Sequence, residues 1–235
     1  MDSNARKVIC ALDTGDLSEA LRIVKRLAPH VGAFKIGHAL TLPNGLDVIG
    51  RLQDAGAQRV FLDLKFHDIP NSVALAVREA AKRGAWMLTI HISGGPAMMA
   101  ACIEEARAFD EDGPLLVGVS VLTSLDQHTL GDHLGVHRTI EEHMVHLSAL
   151  AVELGLDGVV CSAHEIKAIR HAIGDAIIVT PGIRFAGAAS HDQKRTGEPL
   201  KALDDGANYL VMGRTLTELD NPEEALADLW RRSAV

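Results

Sequence analysis

Lys35, Asp63, Lys65 and Asp68 alternate in charge along the chain, and their spacing suits them to act together. Three lie in the run Phe61-Leu62-Asp63-Leu64-Lys65-Phe66-His67-Asp68-Ile69-Pro70-Asn71-Ser72, and the fourth sits inside Ala33-Phe34-Lys35-Ile36-Gly37. Asp63 and Lys65 are two residues apart in a segment that otherwise reads as a buried strand, so both point to one face of a sheet. Burying a charge costs several kcal/mol unless it is paired, and perturbed charges gather at functional sites. The four residues therefore read as a catalytic set, suited to electrostatic stabilisation and proton transfer. A structural salt bridge is the alternative reading.

A second group has the chemistry of an anion site. Thr180-Pro181-Gly182-Ile183-Arg184 and Val211-Met212-Gly213-Arg214-Thr215 each close an apolar run near the C-terminus. Gly213 lets backbone approach an oxyanion, Arg214 offers its N–H and its guanidinium, and Arg184 adds a second planar fork. The alternative is a pair of arginines capping a rim. Between them runs Phe185-Ala186-Gly187-Ala188-Ala189-Ser190-His191-Asp192-Gln193-Lys194-Arg195, long enough for a lid, in which Gln193 is placed to bridge a ligand's phosphate and ring.

The elements that must position these groups follow from periodicity. Apolar strand-like runs recur at Val8–Leu12, Ala33–Gly37, Val60–Phe66, Trp86–His91, Leu115–Leu122, Gly158–Ser162, Ile177–Pro181 and Tyr209–Met212. Amphipathic stretches lie between them at Ser18–Leu27, Ser72–Arg83, Pro96–Ala108, Ile140–Leu154, Ala163–Ile173 and Glu223–Arg231. Strand and helix in alternation predict a parallel sheet. Eight repeats favour one α/β domain over residues 1–235, a closed (β/α)8 barrel, above an open doubly wound sheet. Helix starts are expected at Asn71 or Ser72, at Pro96 and at Asn221. Asp13, Lys35, Asp63, Lys65, Asp68, Thr123, Arg184 and Arg214 then all fall at or just past strand ends, on the face where such barrels do chemistry.

Bulk properties narrow the function classes. The 235 residues are 47% hydrophobic and carry a formal charge of -8, which disfavours nucleic acid or an anionic membrane as partner. The polar start before the first strand and the absence of a long apolar stretch predict a soluble protein without an export signal. Cys10, Cys102 and Cys161 are an odd, widely spaced set that fits packing roles in a reducing cytosol. Among the 12 histidines, His143 and His146 stand near Glu141 and Glu142, but they read as a solvated helix face rather than a metal site. His67 and His91 are expected to hydrogen-bond loops at the rim. No GxGxxG, GxxxxGK or GxSxG pattern is present to support a nucleotide loop or a hydrolase elbow.

Asp63-x-Lys65-x-x-Asp68, extended through Ile69-Pro70-Asn71, closely resembles the signature of the orotidine 5'-phosphate decarboxylase family. Further matching segments are Ala11-Leu12-Asp13, Phe34-Lys35-Ile36-Gly37, His91 with Ser93-Gly94-Gly95, Val121-Leu122-Thr123-Ser124, Pro181-Gly182-Ile183-Arg184, Asp192-Gln193 and Val211-Met212-Gly213-Arg214. Two departures are Ser72, where threonine is frequent, and the form of Arg195-Thr196-Gly197-Glu198-Pro199.

The resemblance implies conversion of orotidine 5'-monophosphate to UMP in pyrimidine biosynthesis, without metal or organic cofactor. It implies that Lys65 stabilises and protonates a carbanion at C6, with Asp63 and Asp68 keeping its ammonium charged, which disfavours a Schiff-base role. Asp63 is also placed to crowd the substrate carboxylate, and Lys35 to complete the array beside the ribose. Asp13 would bind ribose hydroxyls, Thr123 and Gln193 would seat the nucleotide, and Arg184, Gly213 and Arg214 would hold the phosphate. Ile69, Ser72 and Pro181 complete the implied substrate-binding set. A cytoplasmic homodimer with shared sites is implied, in which Asp68 serves the neighbouring chain. The same motif occurs in Mg2+-dependent sugar-phosphate decarboxylases and synthases, and Lys35 discriminates against them because a cation there repels a divalent ion. A non-catalytic nucleotide-binding barrel would leave the lysines and aspartates idle.

Overall fold

Eight short strands form the frame of the computed structural model, which describes residues 5–185 and 197–233. They are β1 (Val8–Ala11), β2 (Ala33–Ile36), β3 (Val60–Phe66), β4 (Met87–His91), β5 (Leu115–Val119), β6 (Gly158–Val160), β7 (Ile177–Thr180) and β8 (Tyr209–Met212). Each pairs in parallel with the next and β8 pairs back onto β1, closing a (β/α)8 barrel. Closure leaves no open sheet edge.

The alternation of side chains along each strand makes two separate cores. Ile9, Ala11, Ala33, Phe61, Met87, Val117, Val179 and Val211 pack together inside the barrel. Their neighbours in sequence, among them Val8, Cys10, Phe34, Ile36, Val60, Leu62, Leu88 and Ile90, turn outward under the helices. Each fully buried large aliphatic or aromatic side chain contributes about 1.5–3 kcal/mol. Continuing the inward parity past the apolar layer reaches Asp13, Lys35, Asp63, Thr89 and Gly213. The fold thus sets charged residues on top of an apolar plug.

The helices begin and end for local reasons. Asp16 accepts hydrogen bonds from the N–H groups of Ser18 and Glu19 at the start of Leu17–Leu27. A reciprocal Thr139–Glu142 capping box opens Ile140–Glu153. The helix Pro70–Lys82 starts earlier than its expected cap: Ile69 occupies the cap position without a side-chain bond, and Asn71 and Ser72 lie in the first turn. Pro70 has no N–H to leave orphaned there and its φ is already helical, so it sets the boundary. Short helices at His38–Asn44, Val48–Asp54, Pro199–Asp204 and Arg214–Thr217 add to the expected elements. Strand β5 stops at Val119, short of the expected Leu122, because the chain leaves the ladder to form the rim.

Gly158 is required by backbone contact. A Cβ there would stand 2.0 Å from the Ile177 carbonyl oxygen across the β6–β7 pair. Gly158→Ala must push these strands apart, and overpacking of this kind costs about 1–3 kcal/mol or more. The urea midpoint is expected to fall accordingly; a midpoint equal to that of the unaltered protein would contradict this.

Candidate active site

Lys35, Asp63 and Lys65 meet at the C-terminal end of the barrel. Lys35 Nζ lies 3.5 Å from Asp63 Oδ2 and 3.3 Å from Asp13 Oδ1, while Lys65 Nζ lies 2.8 Å from Asp63 Oδ1. The Lys35 and Asp63 side chains are only 13% and 14% exposed. Burial works against both charges, but the two lysines hold the Asp63 carboxyl below its usual range, helped by hydrogen bonds from Lys65 and Thr89. Burial likewise opposes the Lys35 ammonium, and Asp63 and Asp13 more than offset it, raising its pKa. Each charge is thus kept ionised by its neighbours.

The signs fix a pH window. Asp63 contributes stability above its ordinary value of 3.8, and this is lost as the pH falls through its lower folded value. Lys35 contributes below 10.5, and this is lost as the pH rises through its raised folded value. The stability difference between the protein and Asp63→Asn should therefore be flat from about pH 5 to 7 and change only below about pH 4. Urea titrations across that range check it, and a slope between pH 5 and 7 would count against it.

The strand that carries Asp63 and Lys65 is not regular where they lie. The β3–β4 register passes from Leu62 opposite Leu88 to Phe66 opposite Ile90, so Asp63, Leu64 and Lys65 lie across from Thr89 alone. Lys65 has φ of 51°, in the left-handed region that non-glycine residues rarely occupy. Simple alternation therefore does not explain how the two charges meet. A bulge with a strained lysine brings them together.

Arg184 and Arg214 stand across the same opening. Gly182, with φ of 78°, turns the chain out of β7, and the Arg184 N–H donates to the Gly197 carbonyl at 3.0 Å. Phe185 N–H donates to Thr215 Oγ1 at 3.4 Å, which ties the loops after β7 and β8. A Cβ on Gly213 would stand 3.2 Å from Asp13 Oδ2 and 3.6 Å from Ala11 Cβ, so glycine keeps this stretch of floor open. A cavity of about 290 Å³ is lined by Asp13, Lys35, Asp63 and Lys65 together with Thr123, Pro181, Arg184, Gly213 and Arg214. This volume lies at the small end of the roughly 300–1,000 Å³ typical of small-molecule clefts.

Asp68, Ile69 and Ser72 are not among the residues lining that cavity. Asp68 Oδ1 accepts the Ile69 N–H at 2.6 Å, Ile69 is 68% exposed, and Ser72 is half-buried in the first turn of its helix. Gln193 lies outside the described residues. His67 and His91 do come to the rim, but they pack ring against ring at 5.1 Å. Burial, then His67 and the Lys65 cation, push the His91 pKa down. His143 is half-buried, and among the described residues no group of three histidine, cysteine or acidic side chains could hold a metal ion. The residue that sequence reasoning passed over is Thr89. Its signal was available, since it continues the inward parity of Met87 and is a polar residue in an apolar strand.

A cleft at the C-terminal mouth of a (β/α)8 barrel, with ammonium and carboxylate groups facing two arginines, defines an enzyme class that acts on small phosphorylated substrates. The chain belongs to the orotidine 5'-phosphate decarboxylase / HUMPS family, whose model matches residues 6–229. It is 46% identical over 226 residues to the orotidine 5'-phosphate decarboxylase of Pseudoalteromonas translucida, covering 96% of each chain. It is 45% identical over 224 residues to that of Moorella thermoacetica, covering 93% of this chain and 88% of the relative. The crystal structure of orotidine 5'-phosphate decarboxylase from Lactobacillus acidophilus superposes with a TM-score of 0.85 at 33% identity, covering 96% of this chain and 98% of that one.

Proposed function

We propose that the protein decarboxylates orotidine 5'-monophosphate to UMP in the cytoplasm, as a homodimer and without metal or organic cofactor. The observation that carries this is the shared cleft, in which a Lys35–Asp63–Lys65 array faces Arg184 and Arg214. Loss of CO2 from C6 leaves the bonding electron pair in an in-plane orbital that the pyrimidine π system cannot delocalise. Fixed positive charge close to that carbon stabilises it, usually the largest single catalytic effect. The C6–carboxylate bond breaks, its electron pair stays on C6, and the Lys65 ammonium passes one proton to that carbon. The neutral amine then regains a proton from water. Lysine suits both parts, whereas an arginine would not readily release its proton.

Asp63 holds Lys65 in place and faces the leaving carboxylate, Lys35 and Asp13 take the ribose side, and Thr123 and Pro181 flank the base. Arg184, Gly213 and Arg214 take the phosphate. Gln193 joins them from the segment between β7 and β8. Binding energy from the phosphate is then available for positioning the reacting ring. Asp68 and Ile69, which do not line the cleft of their own chain, serve the neighbouring subunit together with Ser72. No described helix is long and apolar enough to cross a membrane.

The Mg2+-dependent sugar-phosphate branch of the family is disfavoured by Lys35, whose ammonium stands 3.5 Å from the one carboxylate buried in the array. Loss of the orotidylate absorbance on adding purified protein tests the reading directly. Exhaustive chelation should leave turnover unchanged, because Lys65 supplies the positive charge that a metal would provide. Activity lost on chelation and restored by Mg2+ alone would transfer the chain to the other branch.

A further inference from the structure

Thr89 is in neither the substrate cleft nor the set of charged residues, yet it ties Asp63 to Lys65. It is 1% exposed and sits on β4 opposite the β3 bulge. Its Oγ1 accepts the backbone N–H of Lys65 at 2.8 Å and donates its own proton to Asp63 Oδ1 at 2.9 Å. Lys65 Nζ donates to that same Oδ1 at 2.8 Å. One hydroxyl thereby closes a ring through the main chain of Lys65, its ammonium and the Asp63 carboxylate. The bulge takes the Lys65 N–H out of the regular β3–β4 ladder, and the Thr89 hydroxyl is the acceptor that replaces a ladder carbonyl.

We infer that Thr89 is a positioning residue for the decarboxylation, holding Lys65 in its left-handed backbone conformation and so fixing where its ammonium stands. The inference rests on the function proposed above. A left-handed lysine persists only where its surroundings determine it. Here the surroundings offer a hydroxyl with one acceptor and one donor role, both used. Branching at Cβ restricts the Thr89 side chain to few rotamers, which makes its hydroxyl a fixed anchor. Valine in its place keeps the shape but removes both bonds. A buried Lys65 N–H without a partner favours a shift of that backbone, which moves the ammonium off its target. A displacement of about 1 Å in a positioned group costs roughly 100-fold in rate.

The test compares Thr89→Val and Thr89→Ser with the unaltered protein. Thr89→Val should lower kcat about 100-fold while KM and the affinity for UMP stay within about twofold, because phosphate and ribose contacts are untouched. Thr89→Ser, which keeps the hydroxyl, should stay within about tenfold of the unaltered kcat. A kcat loss under tenfold in Thr89→Val, or a loss in Thr89→Ser as large as in Thr89→Val, overturns the inference. A folded Thr89→Val that no longer binds UMP also overturns it; if Thr89→Val fails to fold, Thr89→Ala takes its place under the same thresholds. The unaltered protein is assayed alongside. Its failure to consume orotidylate would sink the proposed function, whereas an active parent with an equally active Thr89→Val sinks the role of Thr89 alone.

Discussion

Lys65→Ala is expected to lower the decarboxylation rate by at least roughly 10⁴-fold while UMP still binds. Removing one fixed charge-stabilising donor costs about 10²–10³-fold, and removing a general acid about 10²–10⁴-fold. Lys65 is assigned both tasks, and its ammonium stands 2.8 Å from Asp63 in the cleft that Arg184 and Arg214 also line. If the phosphate is held by those arginines as proposed, product affinity should rest mainly on them and on the ribose contacts, so calorimetry with UMP should change little. Arg214→Ala should do the reverse, raising KM roughly 10- to 100-fold for a lost charge-assisted contact, with a smaller fall in kcat. A Lys65→Ala preparation, free of host enzyme, that kept a tenth of the activity would refute the assignment.

A mixture of two inactive variants is expected to regain activity. If Asp68 serves the neighbouring subunit while Lys35, Asp63 and Lys65 serve their own, a mixed dimer of Lys65→Ala and Asp68→Ala chains holds one site with both defects and one with neither. Random exchange at equal concentrations makes about half the dimers mixed, so about a quarter of all sites should recover. In its own chain Asp68 accepts the Ile69 N–H, and no ion pair joins it to Lys35 or Lys65 among the described residues. Its position beside the 68%-exposed Ile69 suits a contact with another subunit. If a tag demonstrates exchange and no activity returns, the shared-site arrangement is wrong.

The barrel was legible because each strand is a short apolar run bounded by polar residues, and the eight runs from Val8 to Met212 coincide with the eight strands to within a few residues. The charged array was legible for a related reason. Charge in a buried strand is costly, so Asp63 and Lys65 stand out from Phe61 and Leu62 without any structure. The bulge at Lys65 was not, since nothing in Leu62–Phe66 departs from alternation and the irregularity comes from pairing with β4. Thr89 was passed over because a lone threonine fits an ordinary strand, and its role appears only when β3 and β4 are set side by side. The helices at His38–Asn44 and Val48–Asp54 were obscured by Pro43, Gly45 and Gly50, which interrupt the helical period that packing against the barrel sustains.

The apolar plug beneath the charged residues has a kinetic consequence. Ile9, Ala11, Ala33, Phe61, Met87, Val117, Val179 and Val211 are each at most 6% exposed and fill the barrel below Asp63. The cleft is therefore a blind alley. Under the proposed function, substrate, carbon dioxide and nucleotide would all use one mouth, and the small gas would have to pass a nucleotide held by its phosphate. If Arg184 and Arg214 hold the phosphate as proposed, carbon dioxide is expected to leave first and the nucleotide last.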